Sequence, residues 1–227
     1  MISSSRVYRW FYDNVQSRYY DLLMKWCFLP FGGEKKVRTR LLESIALHPG
    51  EKILDLGCGT GNATFAIAAK APGGVRIFGL DLSLGQLRRA VAKNRLGNVA
   101  FVGGDARATC FPDAHFDKVF VTHMVHELPR QARLATLKEA HRVLKPDGTL
   151  VVLELDDPPS RLWRGLIALW WFYWLPLNFE TPTRRDMFRC VLSKEVEQAG
   201  FTSVRKTSIA PGAFQVVEGK KPRQPLA

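Results

Sequence analysis

The residues of this chain that can do chemistry gather where short apolar runs end. Asp55-Leu56-Gly57-Cys58-Gly59-Thr60-Gly61 closes the run KILDL (52–56) and precedes a helical pattern that opens at about residue 62. Glycines at alternate positions allow a tight turn and let the backbone approach a ligand closely. A dinucleotide fingerprint, G-x-G-x-x-G, would need glycine at position 62, where this chain has Asn62. Asp81, followed by Leu82, ends the second run, where a carboxylate can accept both hydroxyls of a ribose. Gly104-Asp105-Ala106 follows the third and is placed to meet the exocyclic amine of an adenine. Each aspartate alone also reads as a helix cap or turn residue. Together they fall at three successive strand ends, the edge at which open α/β sheets bind ligands, and define a nucleoside site.

Such a site needs a sheet to carry it. The runs KILDL (52–56), VRIFGL (75–80), VAFV (99–102), KVFVT (118–122) and TLVVLEL (149–155) alternate with helical patterns, which predicts βαβ units and a parallel sheet with helices on both faces. Leu134, Leu137, Ala140 and Leu144 recur at helical spacing before Pro146-Asp147-Gly148 forces a turn. FTSVRKTS (201–208) and GAFQVVEG (212–219) flank Pro211-Gly212 as a hairpin. The expected fold class is α/β, a doubly wound, Rossmann-like, mostly parallel seven-stranded sheet with a C-terminal antiparallel hairpin. Residues 1–48 read as a helical N-terminal lid, 49–227 as the main domain, and about 158–190 as an apolar insertion after the fifth strand. The length of 227 residues suits one such domain, and 46% apolar with 24% charged residues excludes wholesale disorder.

With these motifs in place, the sequence resembles the class I S-adenosylmethionine-dependent methyltransferases, and within them the ubiquinone and menaquinone biosynthesis C-methyltransferases and related lipid methyltransferases. The likeness is carried by ILDLGCGTGNAT (53–64), GLDLS (79–83), GDA and FPDAHFD within 104–117, RVLKPDGTLVVLE (142–154) and EQAGF (197–201). RYYDLLMKW (18–26) and GAFQVVEGKKP (212–222) look like the quinone enzymes' N-terminal segment and last strand. The resemblance implies S-adenosylmethionine as cofactor. It would be held by Asp55, Gly57, Cys58, Gly59, Thr60, Gly61, Asp81, Leu82, Gly104, Asp105, Ala106 and Thr122, with Tyr12 and Tyr20 reaching over from the lid. Two positions depart from the quinone enzymes: Cys58-Gly59 replaces a usual Gly-Gly, and Met124-Val125-His126-Glu127 replaces a Gly-Leu-Arg-Asn segment where substrate contacts are expected.

A sulfonium methyl donor is already activated, so the protein chiefly aligns donor and acceptor, worth roughly 7–11 kcal/mol of barrier. No metal is required. A hydroquinone carbon or an ammonium nitrogen must however lose a proton, which asks for a base near neutral pH. His123 and His126 follow the fourth strand; His126 is the expected base, with Glu127 as its orienting partner, against the alternative of a hydrogen-bonded structural histidine. Tyr20 is the second catalytic candidate, through a hydroxyl reaching the methionine carboxylate or the substrate, or else packs its helix through the ring. His48, His115 and His141 read as loop or helix-surface residues.

The insertion RLWRGLIALWWFYWLPLNF (161–179) holds four of the six tryptophans. Its apolar run Leu166–Leu175 is shorter than the roughly 20 residues that a membrane-spanning helix needs, and Pro176 ends it. Aromatics flanked by Arg161, Arg164, Arg184 and Arg185 fit an element at the water–lipid boundary, or equally a helix covering an apolar cleft. A net charge of +12 calls for an anionic partner. An anionic membrane surface and an amphiphilic or lipid substrate are expected, with a quinone-ring carbon or a phospholipid head-group amine as target. Scattered basic residues and the lack of an aromatic–glycine RNA-binding signature argue against nucleic acid. Dispersed cysteines and an N-terminus without the apolar run of a signal peptide point to the cytoplasm, with the enzyme peripheral at the inner face of a membrane.

Overall fold

The computed structural model describes residues 10, 12–157, 160–174, 181–209 and 212–223. Its centre is a seven-stranded sheet of β1 (Lys52–Leu56), β2 (Arg76–Asp81), β3 (Val99–Gly103), β4 (Phe116–Thr122), β5 (Leu144–Leu155), β6 (Thr202–Ile209) and β7 (Phe214–Lys220), in the order β3-β2-β1-β4-β5-β7-β6. The first five strands are parallel, and β7 is antiparallel to both β5 and β6. Central strands covered on both faces must be apolar throughout rather than alternating, and Val119, Phe120 and Val121 of β4 and Leu150 to Leu153 of β5 are all fully buried. The edge strand β6 is largely exposed and carries Arg205 and Lys206, which discourages pairing with another chain.

The connecting helices are α1 (Ser17–Phe28), preceded by a π-helical turn Tyr12–Gln16, α2 (Glu34–Glu43), α3 (Asn62–Lys70), α4 (Leu84–Lys93), α5 (Arg130–Val143), α6 (Arg161–Trp174), α7 (Thr181–Cys190) and α8 (Leu192–Gln198). The chain leaves β1 towards β2 and β3 on one side and returns to β4 on the other. This reversal opens a crevice at the C-terminal ends of β1 and β4, where doubly wound sheets bind ligands. The N-terminal helices are pinned to the far half of the sheet by rings: Phe28 stacks on Phe214 with centroids 5.2 Å apart, and Phe31 meets the same ring edge-on at 4.9 Å.

One element differs from its sequence reading. Pro146-Asp147-Gly148 does not separate helix from strand, because β5 begins at Leu144 and runs through it. The turn survives as an irregularity, with Asp147 at φ 62° and a register shift against β4 between Phe116 and Lys118. Its backbone stays paired because Asp147 N donates to Lys221 O and Lys221 N to Gly148 O, both at 2.9 Å. The insertion forms α6 followed by α7; residues 175–180, and the side chains of Trp171 and Trp174, lie outside the described ones. Among the described residues no helix is long and apolar enough to cross a membrane.

A buried ion-pair cluster ties α7 and α8 to α5. Arg133 of α5 is wholly enclosed, donates to Glu195 from Nε at 2.9 Å and Nη2 at 2.8 Å, to Asp186 at 2.8 Å and to Leu128 O at 2.9 Å. Removing one member of such a set strands the opposite charge. Arg133→Ala should therefore lose about 3–5 kcal/mol in chemical denaturation, whereas Arg205→Ala on the exposed edge should change stability little; equal effects would contradict this account.

Candidate active site

The crevice is built by the glycine loop, the β2 end and the β4 end. Gly57 has φ 71°, and a Cβ there would overlap the Met124 side chain, so only glycine passes beneath the β4 loop. Gly61 serves packing: a Cβ would lie 2.9 Å from Phe65 and 3.0 Å from Phe101. Cys58 is buried, and Gly79 of β2 makes room for it, since a Cβ on Gly79 would sit 3.0 Å from the Cys58 Sγ. The departure from Gly-Gly is thus absorbed by the neighbouring strand.

Asp81 holds the loops together. Its Oδ2 accepts the Gly59 N–H and its Oδ1 the Ser83 N–H, both at 2.8 Å. Burial raises its pKa, with those two N–H groups opposing. Each carboxylate oxygen keeps a further lone pair for a hydroxyl. Ser83 caps α4 by accepting the Gln86 N–H at 3.2 Å and also contacts Asp13 of the N-terminal segment. Asp21 of α1 in turn accepts the Thr60 hydroxyl at 2.5 Å and the Asn62 amide at 3.2 Å, and pairs with Lys93 at 3.0 Å. The N-terminal segment is latched onto both cofactor loops by carboxylates.

These elements enclose a cavity of about 370 Å³, within the usual range for small-molecule sites. Of the residues expected at the site, Gly57, Gly59, Asp81, Leu82, Asp105, Ala106 and Tyr20 line it. The ring of Tyr20 lies over Gly59, and burial pushes its hydroxyl well above the ordinary phenol range, so it remains a hydrogen-bond donor. Asp55, Cys58, Thr60, Gly61, Gly104, Thr122 and His126 are not on the wall. Thr60 is spent on Asp21, Gly104 donates its N–H to Asp81 O at 3.0 Å, and Thr122 is buried at the end of β4. The side chain of Tyr12 lies outside the described ones.

The carboxylate on Nδ1 of His126 is Glu154 of β5, at 2.8 Å, while Glu127 lines the cavity. Asp105 is paired in-plane with Arg107, whose Nε and Nη2 reach it at 2.9 and 2.6 Å.

Three wall residues carry buried polar atoms without a partner among the described residues: both amide atoms of Gln86, the hydroxyl of Thr136, and Nε2 of His123. Orphaned buried polar atoms are costly unless a ligand completes them. Gln86 can both give and take a hydrogen bond, as the N1–N6 edge of an adenine requires. Its spacing with Leu87 and Ala90 on the buried face of α4 was the legible signal; Thr136 on α5 gives none beyond its period. Below the glycine loop, Asp55 takes the Thr64 hydroxyl on Oδ2 at 2.6 Å and leaves Oδ1 unpartnered, while buried Arg38 of α2 leaves Nη1 unpartnered. Neither residue lines the cavity, and both polar atoms are without a partner only among the described residues.

The comparisons agree with this geometry. Residues 53–148 match the model of the methyltransferase domain family. An uncharacterized methyltransferase of Synechocystis is 34% identical over 206 residues, covering 88% of this chain and 90% of the relative. Demethylmenaquinone methyltransferase of Staphylococcus aureus is 30% identical over 230 residues, covering 92% and 91%. A methyltransferase structure from Aquifex aeolicus shares the fold with a TM-score of 0.67 at 18% identity, covering 90% of this chain and 98% of that one. The chain belongs to the S-adenosylmethionine-dependent methyltransferases. It is an enzyme of methyl transfer with S-adenosylmethionine as its cofactor.

Two outcomes follow. Asp81→Ala should weaken binding of the demethylated cofactor by about 1–3 kcal/mol in calorimetry; wild-type affinity would remove Asp81 from the site. Asp55 is buried and its carboxyl is pushed up to about 6 by that burial. A raised folded pKa favours the folded state below the ordinary carboxylate range, and this contribution is lost as pH rises through about 6. Asp55→Asn should therefore gain on wild type between pH 4 and 8, by up to about 3 kcal/mol in denaturant titrations. A constant difference across that window would show Asp55 to be ordinarily titrating.

Proposed function

We propose that the enzyme methylates an amphiphilic acceptor taken from a membrane surface, with a quinone-ring carbon as the target. Support comes first from the 30% identity to a demethylmenaquinone methyltransferase across nearly the whole chain. The wall beyond the glycine loop suits such a ring, since Met124, Leu128 and Ala132 give it apolar cover beside the imidazole of His123. Glu127 on the same wall favours a head-group amine as the second reading, because a carboxylate there attracts an ammonium.

The observation that carries the membrane half of the proposal is a contact between distant segments. Trp26 of α1 and Trp170 of α6 have ring centroids 5.9 Å apart, and Trp170 Nε1 donates to Trp26 O at 3.3 Å. The contact joins two helical segments that each expose apolar side chains, Leu22, Trp26 and Leu29 on one and Leu162, Leu166 and Leu169 on the other. Exposed apolar patches mark interaction sites. The net charge of +12 is compatible with anionic lipid and supports reading the enzyme as a peripheral protein of the cytoplasmic leaflet.

Labelled S-adenosylmethionine incubated with enzyme and a membrane lipid extract should deposit label in a prenylated quinone; label confined to phospholipid would select the second reading. Sedimentation with anionic vesicles separates the two forces, since basic side chains contribute about 1 kcal/mol each and are screened by salt while apolar burial is not. Trp26→Ser with Leu166→Ser and Leu169→Ser should abolish binding at any ionic strength, whereas Arg161→Gln with Arg164→Gln should weaken it only at low salt. Wild-type protein that stays in solution at low salt would refute the membrane surface.

A further inference from the structure

The residue that ends β4 has an unusual backbone. His123 has φ 51°, a left-handed conformation that bulky side chains rarely adopt. Its own N–H donates to Leu153 O at 2.8 Å, which fixes the turn against β5. The ring is held edge-on between Phe28, with centroids 5.1 Å apart, and Phe214, at 5.4 Å. Its Nδ1 faces Glu154 Oε1 at 3.9 Å, and its buried Nε2 has no partner among the described residues; the residue lines the cavity together with Gly57, Gly59 and Tyr20.

Glu154 is itself fully buried and held in place. Oε1 accepts the Leu155 N–H at 2.7 Å and meets His126 Nδ1 at 2.8 Å, while Oε2 accepts the His126 N–H at 3.2 Å. Burial pushes the Glu154 carboxyl up, but His126 and then His123 outweigh it and the net shift is downward, so the group is an anion. An anion on the Nδ1 side favours the tautomer with the proton on Nδ1 and a lone pair on Nε2.

We propose that His123 is the catalytic base of methyl transfer, and that Glu154, steadied by His126, is the positioning residue that fixes its tautomer. The inference rests on the acceptor being a hydroquinone-like ring with an acidic hydroxyl. His123 Nε2 takes the hydroxyl proton as the ring carbon bonds the methyl group; the carbon–sulfur bond breaks, its electron pair staying on sulfur. The proton then returns from Nε2 to the ring oxygen while the methylated carbon loses its own proton to water, so one proton is released overall. Burial lowers the pKa of the imidazole to about 3 against the opposing pull of Glu154, so the free ring is neutral but a weak base, and the step depends on stabilising the imidazolium as it forms. The imidazolium formed during the step is met by the Glu154 charge. His126 is tightly bound to Glu154 and off the wall, which is why the base falls to His123.

The test uses the full chain in detergent micelles with a reduced, short-chain prenyl naphthoquinone as acceptor. His123→Asn tolerates the left-handed backbone and should lower the single-turnover rate by about 10²–10⁴-fold, with affinity for the demethylated cofactor and KM for the quinol within about twofold. Added imidazole should restore turnover in His123→Gly, and His126→Gln should cost far less than His123→Asn. Full turnover in His123→Asn, or a larger loss in His126→Gln, overturns the assignment. If wild type leaves the naphthoquinol unmethylated, the acceptor reading fails, and nitrogen-15 NMR of the wild-type imidazoles decides the base alone. A neutral His123 with Nδ1 protonated from pH 5 to 8 supports the proposal, and a proton on Nε2 overturns it.

Discussion

The site depends on one half-buried carboxylate. Asp81 sits at the end of β2, yet the N–H groups it accepts come from Gly59, in the loop after β1, and from Ser83, at the start of α4. Two cofactor loops that the topology merely brings near each other are thereby fixed at one separation. Through Ser83 the same carboxylate governs the cap of α4, the position of Gln86 and the docking of Asp13. Its cost is desolvation, visible in its raised pKa, and charge-assisted hydrogen bonds offset that cost. Ribose hydroxyls would be met by an acceptor already held in place, the kind of preorganisation that a reaction dominated by alignment requires.

The sheet was legible in the sequence because both-face burial writes strands as apolar runs, and KILDL predicts β1 to the residue. The glycine loop and Asp81 were legible because backbone geometry and ligand approach restrict residue type there. The readings failed where a partner lies far along the chain. Pro146-Asp147-Gly148 reads as a break, yet Lys221, more than seventy residues on, supplies its hydrogen bonds. His126 with Glu127 reads as a local pair, and what the sequence does not show is Glu154, which also reaches the imidazole from β5, 28 positions away. Gln86 gives only its place on the buried face of α4 and Thr136 no motif at all, and it takes the cavity to show that their polar atoms have no partner among the described residues. Arg38 was hidden for the same reason, since its guanidinium reaches inward from a helix whose charged pattern looks solvent-facing.

The acceptor end of the crevice joins pieces from opposite ends of the chain. Phe214 of β7 supports both the N-terminal helices and the ring of His123, so the cover, the histidine and the last strand form one packed unit. The exposed faces of α1 and α6 meet above it through Trp26 and Trp170, 144 positions apart.

The most direct test of this account is a crystal structure of the full chain with the demethylated cofactor bound. We expect the ribose on Asp81, the adenine edge against Gln86, and the sulfur on the His123 side of the cavity. A cofactor bound in the reverse sense, with its sulfur towards Arg107 and His123 remote from it, would contradict the arrangement on which the chemistry is built.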